Sequence, residues 1–185
     1  MLSQFSEVLA AHPRAHVPLV PIDALEPVLR DMLGAAARVS TDPDRHVPYG
    51  RYLLHADPRG RYNIQLDVFS RGYVGGIHAH LTWGMLFVLR GGFVLEDWQD
   101  INGEVRHCRT AWMPPGAGQC FGPPTADWHR VRTDPTGPQP ISIHVYGPGF
   151  DMDTGVAIGH DGKPRTYTRG AWGNPADLEG LFEVR

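Results

Sequence analysis

The sequence predicts an all-β barrel or sandwich entered through two short helices, and three observations carry that expectation. From Tyr62 onward the chain breaks into short alternating or wholly apolar runs: Tyr62 to Phe69, Met85 to Leu89, Gly92 to Trp98 and Pro140 to Tyr146. Gly and Pro clusters separate these runs, as they do strands joined by tight turns. Helical periodicity is confined to the first forty residues, where Phe5, Val8 and Leu9, then Leu25, Val28, Leu29 and Met32, recur at three and four.

The elements follow in order. Asp23 stands ahead of Ala24-Leu25-Glu26 as an N-cap, with Glu26 as the return partner of a capping box, and Asp42-Pro43 closes the helical segment. Gly91-Gly92 between two apolar runs reads as a tight hairpin, and Asn102-Gly103 as a second. The stretch Pro114 to Pro124 reads as a loop, and beyond Phe150 the chain looks irregular and polar. With 185 residues there is material for one good core and little for a second. We therefore read residues 1–185 as one domain, with a helical segment 1–41, a barrel core 47–150 and a C-terminal extension 151–185.

Composition narrows the partners. A net charge of -3 lacks the basic excess of a nucleic-acid binder and the strong acidity of a disordered chain. No apolar run reaches the roughly 18 residues of a membrane span, and Met1 to Leu19 lacks the basic start and apolar centre of a signal peptide. The expectation is a cytoplasmic chain that engages neither membrane nor nucleic acid and binds a small molecule in a pocket. Cys108 and Cys120 are too far apart for a CxxC motif and too few for a disulfide scaffold, so both are read as reduced, buried thiols.

Ten histidines leave spacing to decide their use. In Gly72-Tyr-Val-Gly-Gly-Ile-His78-Ala-His80 two imidazoles stand at i and i+2, which in a strand sends both to one face. Neutral imidazole suits first-row divalent ions, so the pair is half of an iron, manganese or zinc site, or else two ordinary hydrogen-bonded histidines.

The surrounding pattern resembles the first cupin motif: Gly72 is separated from His78 by five residues, and Gly91 closes the block. Cupins usually add a glutamate separated from the second His by three or four residues; here Gly84 and Met85 stand there. Pro124-Thr-Ala126-Asp-Trp-His129 is similar to the second motif, with Ala126 in its Gly place. The resemblance implies a cupin double-stranded β-helix, or jelly roll, with His78, His80 and His129 as metal ligands. Three neutral ligands leave coordination positions open and the +2 charge uncancelled, which favours an anionic thiolate.

Glycine in the glutamate place is a feature of the thiol dioxygenases, and the chain resembles bacterial cysteine and mercaptopropionate dioxygenases from about Tyr49 to Gly147. Tyr49-Gly-Arg51-Tyr-Leu-Leu-His-Ala-Asp57, Ile77-His-Ala-His-Leu-Thr-Trp-Gly84 with Val88-Leu-Arg-Gly91, Trp128-His-Arg-Val131 and Ser142-Ile-His144-Val-Tyr146-Gly147 carry the likeness. It implies one Fe(II) per chain and conversion of a small thiol carboxylate plus O2 to a sulfinic acid. The substrate is of cysteine, 3-mercaptopropionate or mercaptosuccinate type. It further implies a catalytic relay of Ser142, His144 and Tyr146, whose i, i+2, i+4 spacing puts all three on one face of a strand. Arg51 stands where the cysteine enzymes hold an arginine and the mercaptopropionate enzymes a glutamine, so it is expected to bind the substrate carboxylate through its planar fork. The eukaryotic enzymes crosslink a cysteine near the second His ligand to the relay tyrosine; Gly84 and Met85 exclude that here. Trp83 and Phe87 are candidates for the pocket wall or the core. The competing readings are a three-histidine cupin cleaving a carbon-carbon bond, an isomerase using the ion as a Lewis acid, and a non-catalytic ligand-binding barrel.

Overall fold

The computed structural model describes residues 49–56, 58–60, 62–80, 82–121, 128–147, 154–159, 162–168 and 172–178. The two expected helices, Asp23 and the Pro124 to Ala126 part of the second motif lie outside these residues. In chain order the strands are β1 (Gly50–Ala56), β2 (Asn63–Val68), β3 (His78–Ala79), β4 (Gly84–Arg90), β5 (Phe93–Ile101), β6 (Glu104–Met113), β7 (Gly118–Phe121), β8 (Trp128–Thr133), β9 (Ile141–Tyr146), β10 (Thr154–Ile158) and β11 (Pro164–Thr168). All pairings are antiparallel. One sheet runs β1-β2-β9-β4-β7 and the other β11-β10-β3-β8-β5-β6, giving the expected all-β architecture. No helix among the described residues is long and apolar enough to cross a membrane.

The sheets meet over a core in which Leu86, Val88 and Phe121 of the first touch Phe93, Leu95, Met113 and Val131 of the second. Side chains alternate across a pleated strand. Gly84, Leu86 and Val88 on β4 therefore face inward with Ser142, His144 and Tyr146, their register partners on β9. The other parity, Met85, Phe87, Ile141, Ile143 and Val145, is buried too. Burial of both faces explains why β4 reads as an unbroken apolar run rather than an alternating one.

Four expectations are corrected. Gly91-Gly92 is not a hairpin: β4 lies in one sheet and β5 in the other, and the dipeptide is the corner between them. Its φ angles of 74° and 103° explain the glycines, and a Cβ on Gly91 would fall 2.6 Å from Pro138 O. Asn102-Gly103, with φ 56° and 86°, is a true two-residue turn joining β5 to β6. The Pro114 to Pro124 stretch is not all loop, because Gly118 to Phe121 form β7 and pair with β4. Gly118 is needed there, since any Cβ would collide with the Phe87 ring.

The segment after Phe150 is not wholly irregular either, since β10 and β11 form a hairpin that extends the second sheet and pairs with β3. Cys108 is exposed on β6, not buried. The Cys120 side chain lies outside the described residues.

Candidate metal centre

His78 opens a strand of two residues and His80 follows directly after it, and the flanking pairing explains how so short an element is held. The lead-in is tied to β8 by Gly75 N to Val131 O (2.9 Å) and Thr133 N to Tyr73 O (2.9 Å), and to β10 by Ile158 N to Ile77 O (2.9 Å). His78 is in register with His129 on β8 and Ala157 on β10. β8 is itself fixed through its neighbour: Glu96 on β5, with a side chain 6% exposed, holds Arg130 at 2.6 Å and Arg132 at 2.8 Å.

Register and alternation together bring His78, His80 and His129 to one place. One ring nitrogen from each lies within 4.8 Å of the others, so the three form a group able to hold a metal ion. Ring centroids are 4.3 Å apart for His78 and His129, 5.0 Å for His80 and His129, and 5.2 Å for His78 and His80. The donor set fits a divalent transition ion, with metal–nitrogen bonds of about 2.0–2.1 Å. His78 adds a specific indication. Its Nδ1 lies 3.0 Å from Gly76 O, and since a carbonyl only accepts, Nδ1 carries the proton and Nε2 keeps its lone pair for an ion.

These rings form part of the wall of a cavity of about 380 Å³ between the sheets. Ser142 Oγ is 2.8 Å from His144 Nε2, and His144 Nδ1 is 3.1 Å from Tyr146 Oη, so the three expected relay residues form a continuous hydrogen-bonded chain. The Tyr146 ring packs against His80 at 4.9 Å and thus joins that chain to the histidine group. Arg51 lines the same cavity, with its guanidinium 5.1 Å from the Trp172 ring centroid. Trp83 and Phe87 do not line it: Phe87 lies against Gly118 and Trp83 over Gly147.

Two polar residues of β2 that line the cavity escaped the sequence reading. Gln65 and Asp67 of β2 face inward beside His144 and Ser142, their register partners on β9. Asp67 Oδ2 approaches His144 Nε2 at 3.5 Å. Gln65 is 1% exposed, and among the described residues its Oε1 meets no hydrogen-bond donor. The available signal was the alternation Asn63, Gln65, Asp67 against Ile64, Leu66, Val68. Taken alone, that polar side reads as a solvent face.

Gly84 on β4 lies between Phe121 of β7 and Tyr146 of β9. It is in register with both Tyr146 and Phe121, and a Cβ there would fall 2.9 Å from Tyr146 Cδ1 and closer still to the Phe121 ring. Met85, the other place where a cupin glutamate could stand, faces away from the cavity.

No family model matches the sequence. Among solved structures, the chain is similar to a cupin 2 conserved barrel domain protein from Rhodopseudomonas palustris, at 19% identity and a TM-score of 0.47, over 60% of this chain and 68% of that one. It is also similar to a cupin-2 domain protein from Rhodospirillum rubrum, at 13% and 0.44, over 70% and 68%. A third similarity is to the DMSP lyase DddQ from Ruegeria pomeroyi DSS-3, at 15% and 0.43, covering 56% of this chain and 48%, about half, of the lyase.

Proposed function

We propose that the chain is a non-haem Fe(II) thiol dioxygenase that converts a small thiol bearing a carboxylate, plus O2, to the sulfinic acid. The observation that carries this reading is the Ser142–His144–Tyr146 hydrogen-bonded chain ending at a tyrosine packed on His80. Tyr146 and His144 line the same cavity as the three histidines, which favours a catalytic use over mere mutual satisfaction of buried polar groups. His78, His80 and His129 would hold the iron, which supplies the redox chemistry that activates O2 toward sulfur.

The chain's own residues provide position and charge. Arg51 would fix the substrate carboxylate through its fork, with Trp172 stacked behind it. Tyr146 would hydrogen-bond to the bound thiol or oxygen, held in place by His144 and Ser142. The apolar wall of Leu86, Phe121 and Val131 would limit water around the sulfur.

The test is O2 uptake by Fe(II)-loaded, metal-analysed protein with cysteine, 3-mercaptopropionate and mercaptosuccinate in parallel. One sulfinate per O2 from at least one thiol is the expected result, and the relative rates rank the substrates. Tyr146→Phe should lower turnover roughly 10–100-fold with iron content unchanged. No uptake with any thiol, at about one iron per chain, would move the reading to carbon-carbon cleavage or to ligand binding.

A further inference from the structure

The relay contains an ambiguity that hydrogen-bond chemistry makes explicit. A neutral imidazole donates from one nitrogen and accepts at the other. Its two direct neighbours in the chain, Ser142 Oγ at Nε2 and Tyr146 Oη at Nδ1, are both hydroxyls able to do either. With these two alone, the chain can run in either direction. In one, Ser142 donates to Nε2, Nδ1–H donates to Tyr146, and the phenol proton points at the substrate. In the other every bond is reversed, and the phenol presents only lone pairs to the substrate.

Asp67 is the group that distinguishes the two. Its Oδ2 lies 3.5 Å from His144 Nε2 in a setting where the two side chains are 12% and 7% exposed. At that distance the direct hydrogen bond is weak, but in a poorly solvated site a carboxylate still favours an N–H dipole aimed at it over a lone pair. Across the sheet Asp67 stands between Arg51 of β1 and Ser142 of β9, its two register partners. Arg51 and Asp67 line the same cavity.

We propose that Asp67 is a positioning residue that holds His144 as the Nε2–H tautomer. The relay then runs Tyr146 O–H to His144 Nδ1, with His144 Nε2–H toward Ser142 and Asp67. Tyr146 consequently meets the substrate as an acceptor. An incoming thiol gives its S–H proton to the Tyr146 oxygen while the phenol proton passes to His144 Nδ1. One S–H and one O–H bond break and one O–H and one N–H form, leaving a thiolate and an imidazolium beside the Asp67 carboxylate. That use of the tautomer rests on the thiol dioxygenase reading; the tautomer itself does not.

The test reads the tautomer directly, by long-range ¹H–¹⁵N correlation on the His144 ring of the full chain loaded with diamagnetic Zn(II). Wild type should show a protonated Nε2 and a bare Nδ1. Ser142→Ala should keep that pattern, and Asp67→Asn should move at least half the population to Nδ1–H, as the same amide substitution reverses the tautomer in serine-protease triads. Nδ1–H in wild type overturns the proposal, as does loss of the Nε2–H form in Ser142→Ala or an unchanged pattern in Asp67→Asn. The first two arms decide the matter even if the asparagine variant does not fold. In the thiol assay Asp67→Asn should lower kcat about 10–100-fold with little change in KM. If no thiol turns over while the tautomers behave as stated, only the dioxygenase reading fails.

Discussion

Replacing His129 with alanine should strip the metal: after Fe(II) loading, iron falls from about one per chain to background, and with it any thiol-dependent O2 uptake that the proposed function requires. His78 in β3 and His80 just beyond it come from one stretch of chain, and His129 on β8 is the cross-strand partner of His78, so its loss leaves two imidazoles on one side of the site. Removing one of three protein ligands is a far larger change than removing a hydrogen-bond partner of a ligand, which commonly costs 10–100-fold. The fold should persist, because β8 stays anchored by Glu96 to Arg130 and Arg132 and by its pairing with β5. Metal analysis, O2 uptake and circular dichroism on the same preparation make the comparison. Wild-type metal content in the alanine variant would remove His129 from the ligand set.

Phe93→Ala should be the most damaging single change to the core. Phe93 is 0% exposed, starts β5 just beyond the Gly91-Gly92 corner, and packs on Phe69 at 5.9 Å between ring centroids. A buried Phe cut to Ala loses about 3–5 kcal/mol, part from transfer and part from the cavity left behind. For a chain of this size that lowers Tm by roughly 6–20 °C. The same cluster contains Phe121 and Tyr146, so loosening should also reach the cavity wall. Urea and thermal melts measure it, and a loss under about 1 kcal/mol would mean that neighbouring side chains refill the space.

What the sequence made legible follows from how local each determinant is. The His78/His80 pair and the Ser142, His144, Tyr146 triplet could be placed on common faces because strand parity is a property of a few consecutive residues. The backbone demand at Gly91-Gly92 was equally local, but pairing is not. The same dipeptide serves a hairpin or a corner between sheets, and only the distant partners of β4 and β5 decide which. β7 was hidden because Gly118 is there for the Phe87 ring on the neighbouring strand, and in sequence it reads as punctuation. Asp67 and Gln65 were missed for a related reason. Their polar side turns inward because β9 is polar on the facing side, and that correspondence spans more than seventy residues. His129, which lies about fifty residues beyond His78, came from a motif rather than from any local rule.

Gly84 also says something about the routes by which this barrel can change. A carboxylate introduced at position 85 would emerge on the wrong side of the sheet, and one at 84 would have to displace Phe121 or Tyr146. The volume a side chain at 84 needs is held first by the Phe121 ring and next by the Tyr146 ring. A carboxylate there would call for a smaller neighbour at position 121, so residues 84 and 121 are bound to change together if the tyrosine is to keep its place.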